Sequence, residues 1–78
     1  MSKSDEYLDE FINEMRKVIK RHDLEKGERW KTESRSVLID NLYEEIHEFE
    51  IKDEPMKELI DIANSCYILW AKSKYFKG

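Results

Sequence analysis

Only two residues inside this chain are suited to interrupt a helix, Gly27 and Pro55, because the sequence has one proline and its other glycine is the last residue. Between these positions, apolar residues recur at three- and four-residue spacing, which is the period of an amphipathic helix. Glycine suits the end of a helix, and proline suits the first turn of the next one. The pattern predicts an all-α fold of three helices.

The first helix is predicted from Ser4 to about Glu25, with Ser2 or Ser4 as its cap and Gly27 at its end. A stretch without periodicity follows, and we expect a connecting loop over 26–33. The apolar stripe of the first helix comprises Tyr7, Leu8, Phe11, Ile12, Met15, Val18 and Ile19.

The second helix is predicted from Arg35 to Glu50, capped by Ser34 or Ser36, and the third from Pro55 to about Lys74. A short turn over 51–54 joins them, so they form an antiparallel hairpin. The third helix has apolar side chains over more than half of its circumference, and we therefore expect it to be the central, most buried helix.

The 78 residues form one small helical domain, 1–78, at a size where a single core is only marginally stable. Charged residues make up 41% of the chain and apolar residues 40%, which indicates a compact helical protein and not a disordered one. We therefore expect a homodimer or homotetramer in which partner helices complete a four-helix-type bundle.

The charge and cysteine content restrict the partners and the compartment. A net charge of -4 argues against a nucleic-acid polymer as partner, and the one basic cluster is Lys72, Lys74 and Lys77. The single cysteine, Cys66, excludes an intramolecular disulfide, favours a reducing cytoplasm and is expected to be a small buried side chain. The first ten residues lack an apolar signal region, and no apolar run approaches the roughly 20 residues that span a bilayer. We expect an unprocessed cytoplasmic protein without a membrane partner.

Two pairs of acidic residues face each other across the predicted turn. Glu45 and Glu48 precede it, Glu58 and Asp61 follow it, and the spacing of three places each pair on one helix face. In a hairpin that folds back near Asp53, Glu45 lies level with Asp61, and Glu48 lies level with Glu58. Four carboxylates that converge from two helices suit a hard divalent cation, Mg²⁺ or Mn²⁺.

Chance is the alternative explanation of these pairs, because a chain with twelve glutamates produces spaced acids readily. Electrostatic repulsion favours the metal site. Two like charges about 4 Å apart repel by about 4 kcal/mol at an effective dielectric near 20. A bound cation would remove this repulsion.

The acidic residues belong to longer motifs. The sequences Glu44–Glu48 (EEIHE) and Glu58–Asp61 (ELID) resemble the EExxE and ExxD signature of the MazG-like all-α nucleoside triphosphate pyrophosphohydrolases. The similarity extends through Asp61–Trp70 and, more loosely, to Lys26–Lys31, which together cover about half of the chain. The chain departs from the family in its tighter turn, with nine residues between the two motifs, and in lacking the fourth core helix.

The resemblance implies hydrolysis of a nucleoside triphosphate between the α and β phosphates, which gives a monophosphate and pyrophosphate. It implies that Glu45, Glu48, Glu58 and Asp61 hold Mg²⁺, or Mn²⁺ in its place, and that Glu44 orients water or supports the metal ligands. Bound Mg²⁺ lowers the pKa of a coordinated water, so that a carboxylate can take its proton. Glu44, Glu45 and Glu48 are the catalytic candidates.

Four further residues are candidates for binding the nucleotide. Asn64 follows Asp61 by one turn. It either contacts the sugar or a phosphate or forms a hydrogen bond within the narrow polar strip of the third helix. Trp30 and Lys31 can stack on a base and pair with a phosphate, although a tryptophan folded over the edge of the core is the more common arrangement. Lys72 either reaches the β or γ phosphate or is solvated at the helix end.

Two other functions compete with the enzyme. A non-catalytic helical adaptor would use the wide apolar faces to bind a protein partner. A nucleotide-binding sensor would keep the metal site and leave the nucleotide intact.

Overall fold

The computed structural model describes residues 3–76, and all regular structure within them is helical. The elements are helix α1 (Lys3–Lys26), a single 3₁₀ turn (Arg29–Lys31), helix α2 (Arg35–Ile51) and helix α3 (Pro55–Tyr75). The predicted all-α fold of three helices is confirmed for this part of the chain. Each predicted helix end lies within one residue of the observed one.

Helix α1 ends because the backbone changes conformation at Gly27. This residue has φ = 67°, the left-handed region that glycine adopts without steric cost, and its N–H donates to the carbonyl of Asp23 at 2.8 Å. At the other end the helix is already formed at Lys3, so the prediction that Ser4 caps it is wrong. Ser2 lies outside the described residues.

The stretch after α1 is more ordered than the predicted loop, because Trp30 is anchored on α3. The Trp30 ring lies 6.5 Å from the Tyr67 ring and 5.7 Å from the Phe76 ring, centroid to centroid. Lys72 Nζ donates to the carbonyl oxygen of Lys31 at 2.8 Å. These contacts hold the 3₁₀ turn against the C-terminal half of α3.

The α2–α3 hairpin is delimited by a serine cap and a proline. Ser34 is the cap of α2, and its hydroxyl accepts from the N–H of Val37 at 3.4 Å, whereas Ser36 lies inside the helix. Pro55 opens α3, where its missing N–H is not needed. Residues 52–54 join the two helices and leave room only for an antiparallel arrangement.

Helix α3 is the central helix, since it packs against both α1 and α2. It supplies Glu58, Asn64 and Ala71, three of the four buried residues in the described part of the chain, and Leu38 of α2 is the fourth. Asn64 ties α3 to α1, because its Nδ2 donates to the carbonyl of Met15 at 3.3 Å.

One face of α3 is nevertheless uncovered. Leu59, Cys66 and Trp70 share this face, and Leu59 and Trp70 are 42% and 55% exposed. Cys66 is exposed as well, so the prediction that it is buried is wrong for the single chain. The physical reason is that α1 and α2 pack elsewhere on α3 and leave this apolar face without a partner helix.

No helix within residues 3–76 has the length and apolar character that crossing a membrane requires. Of the basic cluster, Lys72 and Lys74 lie in the last turn of α3, and Lys77 lies outside the described residues.

Replacing Gly27 by alanine is expected to lower the free energy of unfolding by about 1 kcal/mol, because a residue with a Cβ is strained in the left-handed region. An added Cβ would meet no atom within 4 Å, so the backbone conformation alone sets the effect. Equilibrium unfolding in urea measures the difference. Gly27→Asn is the control and should lose less, because asparagine tolerates this conformation. An alanine variant as stable as the parent would contradict the assignment.

Candidate metal centre

Three carboxylates meet where the hairpin folds back. Glu45 and Glu48 of α2 and Glu58 of α3 each place one oxygen within 4.8 Å of the other two. The spacing of three puts Glu45 and Glu48 on one face of α2, and the tight turn brings the first turn of α3 opposite them. We call these three residues the glutamate cluster.

Glu58 is the most deeply buried member of the cluster. Its side chain is 0% exposed, and neither of its oxygens has a hydrogen-bond partner among the described residues. Glu45 Oε2 is buried and without a hydrogen bond in the same way. Burying a carboxylate in this state costs free energy unless a positive charge is close to it. A positive charge close to the cluster would therefore lower this cost.

The crowding of charge changes the acidity of Glu45. Burial and, to a lesser degree, the negative charges of Asp61, Glu48 and Glu58 together raise the pKa of its carboxyl to about 7. An ordinary glutamate has a pKa near 4.5. Near neutral pH, the Glu45 carboxyl is thus partly protonated.

Asp61 lies beside the glutamate cluster but is not one of its three members. Its Oδ2 is 3.7 Å from Lys57 Nζ, and the same ammonium is 3.7 Å from Glu58 Oε1. Asp61 and then Glu58 raise the pKa of Lys57. The four-residue cage predicted from the sequence is therefore present as three clustered glutamates, with the fourth carboxylate paired to a lysine.

Sequence reasoning did not single out Lys57. Its signal is local, because Lys57 precedes Asp61 by four residues and so shares its helix face. The side chain is 64% exposed, so the ammonium approaches the buried carboxylates from the solvent side.

The donor atoms of the glutamate cluster are all carboxylate oxygens, which is the ligand chemistry of hard cations such as Mg²⁺ and Mn²⁺. Magnesium commonly binds through a few carboxylates and keeps several waters or substrate phosphates in its shell. Three glutamates that leave coordination positions open fit this requirement. The unpartnered oxygens of Glu58 supply the structural observation that supports the fit.

A cavity of about 460 Å³ adjoins the cluster, and Glu45 forms part of its wall. This volume is in the range of small-molecule binding sites. The wall combines acidic, apolar, amide, hydroxyl and basic groups from all three helices and the 3₁₀ turn. The lining residues are Val18, Ile19, His22, Arg29, Trp30, Glu33, Leu38, Asn41, Glu44, Glu45, Asp61, Asn64, Ser65 and Ile68.

The structure separates the predicted nucleotide-binding residues into two groups. Asn64 and Trp30 line the cavity, and the exposed Glu44 does so as well. Lys31 and Lys72 do not line it. Lys72 Nζ is bound to the carbonyl of Lys31, and the Lys31 ammonium pairs with Glu28. Both alternatives for Asn64 therefore have support, since it donates to Met15 and also faces the cavity.

Arg29 and His22 are the basic residues of the cavity wall, and sequence reasoning assigned neither to the site. His22 lies on α1, and Arg29 opens the 3₁₀ turn. A weak signal existed for Arg29, because it adjoins Trp30 in the sequence. No such signal existed for His22, whose place in the wall depends on how α1 packs.

Comparison of the chain with protein-family models, with curated proteins and with solved structures gave no match.

The metal-free protein is expected to lose stability as the pH rises from about 4.5 to about 7. The raised pKa of Glu45 means that the folded chain holds a proton that the unfolded chain releases in this range. The stabilisation is complete below the unfolded pKa and is lost as the pH passes through the folded pKa. We expect a loss of about 1–2 kcal/mol, because solvent screens a partly exposed group.

Urea unfolding in the presence of a chelator, at several pH values between about 5 and about 8, measures this loss. Glu45→Gln should flatten the profile, whereas Glu50→Gln, an exposed glutamate on the same helix, should retain it. A wild-type protein whose stability stays constant or increases over this range would contradict the raised pKa.

Proposed function

We propose that this chain is a Mg²⁺-dependent nucleoside triphosphate pyrophosphohydrolase that cleaves between the α and β phosphates. One observation supports the proposal most directly: the fully buried Glu58 carboxylate lacks a hydrogen bond and lies within 4.8 Å of Glu45 and Glu48. A site of this kind attracts a divalent cation, and the cavity beside it has room for an organic ligand.

In this proposal Glu45, Glu48 and Glu58 hold the metal. A Mg²⁺ ion held by these residues would neutralise the triphosphate, polarise the phosphorus and lower the pKa of a coordinated water. Glu44 is exposed at the cavity wall, where its carboxylate can orient that water and accept its proton. Asp61 would serve as a further ligand only if the cation displaced the solvent-exposed Lys57 ammonium, which lies 3.7 Å from the Asp61 carboxylate.

The proposal includes a homodimer or a homotetramer. The chain exposes 6313 Å² of surface, whereas a compact monomer of 9.5 kDa is expected to expose about 5,000 Å². The difference exceeds the roughly 800 Å² that each partner buries in a standard interface. The uncovered face of α3 with Leu59, Cys66 and Trp70 supports a second copy that completes a four-helix-type bundle.

The same exposed face supports the second candidate function, a non-catalytic adaptor that binds a different protein. The two proposals differ in what the glutamate cluster does. In the adaptor, neither metal nor nucleotide would change the melting temperature, and the isolated chain would stay monomeric. The sensor is a third case, in which a nucleotide binds together with Mg²⁺ and remains intact.

Incubation with Mg²⁺ and a panel of nucleoside triphosphates is expected to release pyrophosphate and monophosphate in equal amounts. Glu48→Gln should reduce the rate by about 100-fold or more, because it removes a metal ligand. Glu50→Gln provides the matched control, since it is an exposed glutamate two residues away and should retain the parental rate. Absence of product from every triphosphate would contradict the enzyme and favour the adaptor or the sensor.

Replacing Glu58 by methionine is expected to stabilise the metal-free protein by about 1–3 kcal/mol, because an apolar side chain of similar size removes a buried carboxylate that accepts no hydrogen bond and pairs only with the solvent-exposed Lys57. The same change should abolish the response to metal. Mg²⁺ or Mn²⁺ should raise the melting temperature of the parent but not of Glu58→Met. A Glu58→Met variant that is less stable than the parent in chelator would contradict this prediction.

A further inference from the structure

We propose that the 460 Å³ cavity takes the nucleoside part of the substrate, with the base at the 3₁₀ turn, and that Arg29 selects a 6-oxopurine base. The inference rests on the proposed function, because it orients the nucleotide by placing its phosphates at the glutamate cluster. Guanine and hypoxanthine are the bases of this class.

The order in which different chemical groups line the cavity along the hairpin sets the orientation of the nucleotide. Asp61 and Ile68 are seven residues apart on α3, which is about 10 Å along the helix axis. Ser65 lies between them and lines the cavity together with Asn41 of α2. The wall therefore changes from carboxylates through a hydroxyl and an amide to aliphatic side chains. This order matches phosphate, sugar and base in turn.

Trp30 places an aromatic ring in the cavity wall at the end away from the glutamate cluster, and the Lys31 ammonium lies 5.8 Å from the centroid of this ring. Trp30 is half-buried and held by Tyr67 and Phe76, so its ring is fixed before a ligand arrives. Leu38 and Ile68 add apolar surface on the α2 and α3 sides. A planar aromatic ligand with one polar edge is suited to a wall of this composition.

Arg29 is the cation available to the polar edge of such a base. It is exposed and lines the cavity, and no carboxylate within residues 3–76 forms an ion pair with it, although Glu33 belongs to the same wall. Lys31 and Lys72 are engaged with Glu28 and with a backbone carbonyl. The free guanidinium is therefore the group that a ligand would meet.

The chemistry of arginine determines which base it favours. A guanidinium presents several N–H donors in a planar fork and has no acceptor. A 6-oxopurine offers two acceptors on one edge, O6 and N7, which match the fork. Adenine places an amino donor, N6, beside N7, where the fork requires a second acceptor. Such bidentate recognition discriminates against the wrong base by about 10-fold or more.

Equilibrium binding of nucleoside monophosphates to the full-length chain in Mg²⁺ tests the inference separately from turnover. We expect GMP and IMP to bind about 10-fold more tightly than AMP. The 7-deaza analogue of GMP, which lacks N7, should lose this advantage. Arg29→Gln should reduce the preference for GMP and IMP over AMP to about twofold or less, because a glutamine amide also matches the N6 and N7 edge of adenine. Arg35→Gln is the matched control, since Arg35 is exposed and does not line the cavity, and it should keep the preference.

A preference for GMP and IMP that disappears in Arg29→Gln supports the inference even where no triphosphate is cleaved, and the pyrophosphate assay then rejects only the proposed hydrolysis. Equal affinities in the parent, or a preference that survives in Arg29→Gln, overturn the inference while leaving the pyrophosphohydrolase intact. A complete lack of monophosphate binding also overturns it. Circular dichroism of the exposed-arginine variants confirms that they remain helical.

Discussion

The buried carboxylate of Glu58 is the constraint on which the proposed site depends. Its side chain is fully buried, neither oxygen accepts a hydrogen bond, and two more carboxylates lie within 4.8 Å. Removing a charge from water costs several kcal/mol unless an opposite charge compensates. Lys57 supplies part of that compensation from the solvent side, at 3.7 Å. A divalent cation would supply the remainder and would link metal binding to folding.

The free-energy cost of burying Glu58 matters because the apolar core is small. Leu38 and Ala71 are the buried apolar residues among 3–76, and both lie in the α2–α3 hairpin. A core of this size contributes little against the entropy of ordering the chain. The fold therefore depends on local devices such as the Ser34 cap and the Gly27 stop, and association through the open face of α3 would add apolar burial.

The cavity and the glutamate cluster share Glu45, which connects the two halves of the proposed site. A cation that neutralises the cluster would also lower the pKa of Glu45 from about 7, and would thereby change the charge of the cavity wall. Trp30 of the 3₁₀ turn lines the other end of the cavity. The hairpin thus positions the metal ligands, and the packing of α1 and the turn on α3 shapes the space for the organic part of a ligand.

The sequence by itself determined where the helices lie and which acidic residues come close across the turn. Both depend on local backbone geometry, which is set by the helical period and by Gly27 and Pro55. The spacing of the two acidic pairs on either side of the turn correctly predicted that Glu48 would lie close to Glu58. Only the tertiary structure showed that Glu58 is the buried member, that Lys57 pairs with the neighbouring carboxylate, and that the cysteine is exposed. It also showed that Arg29 lines the cavity, whereas the predicted Lys31 and Lys72 do not. Burial and pairing depend on which faces other segments cover, and periodicity along one helix does not specify its neighbours.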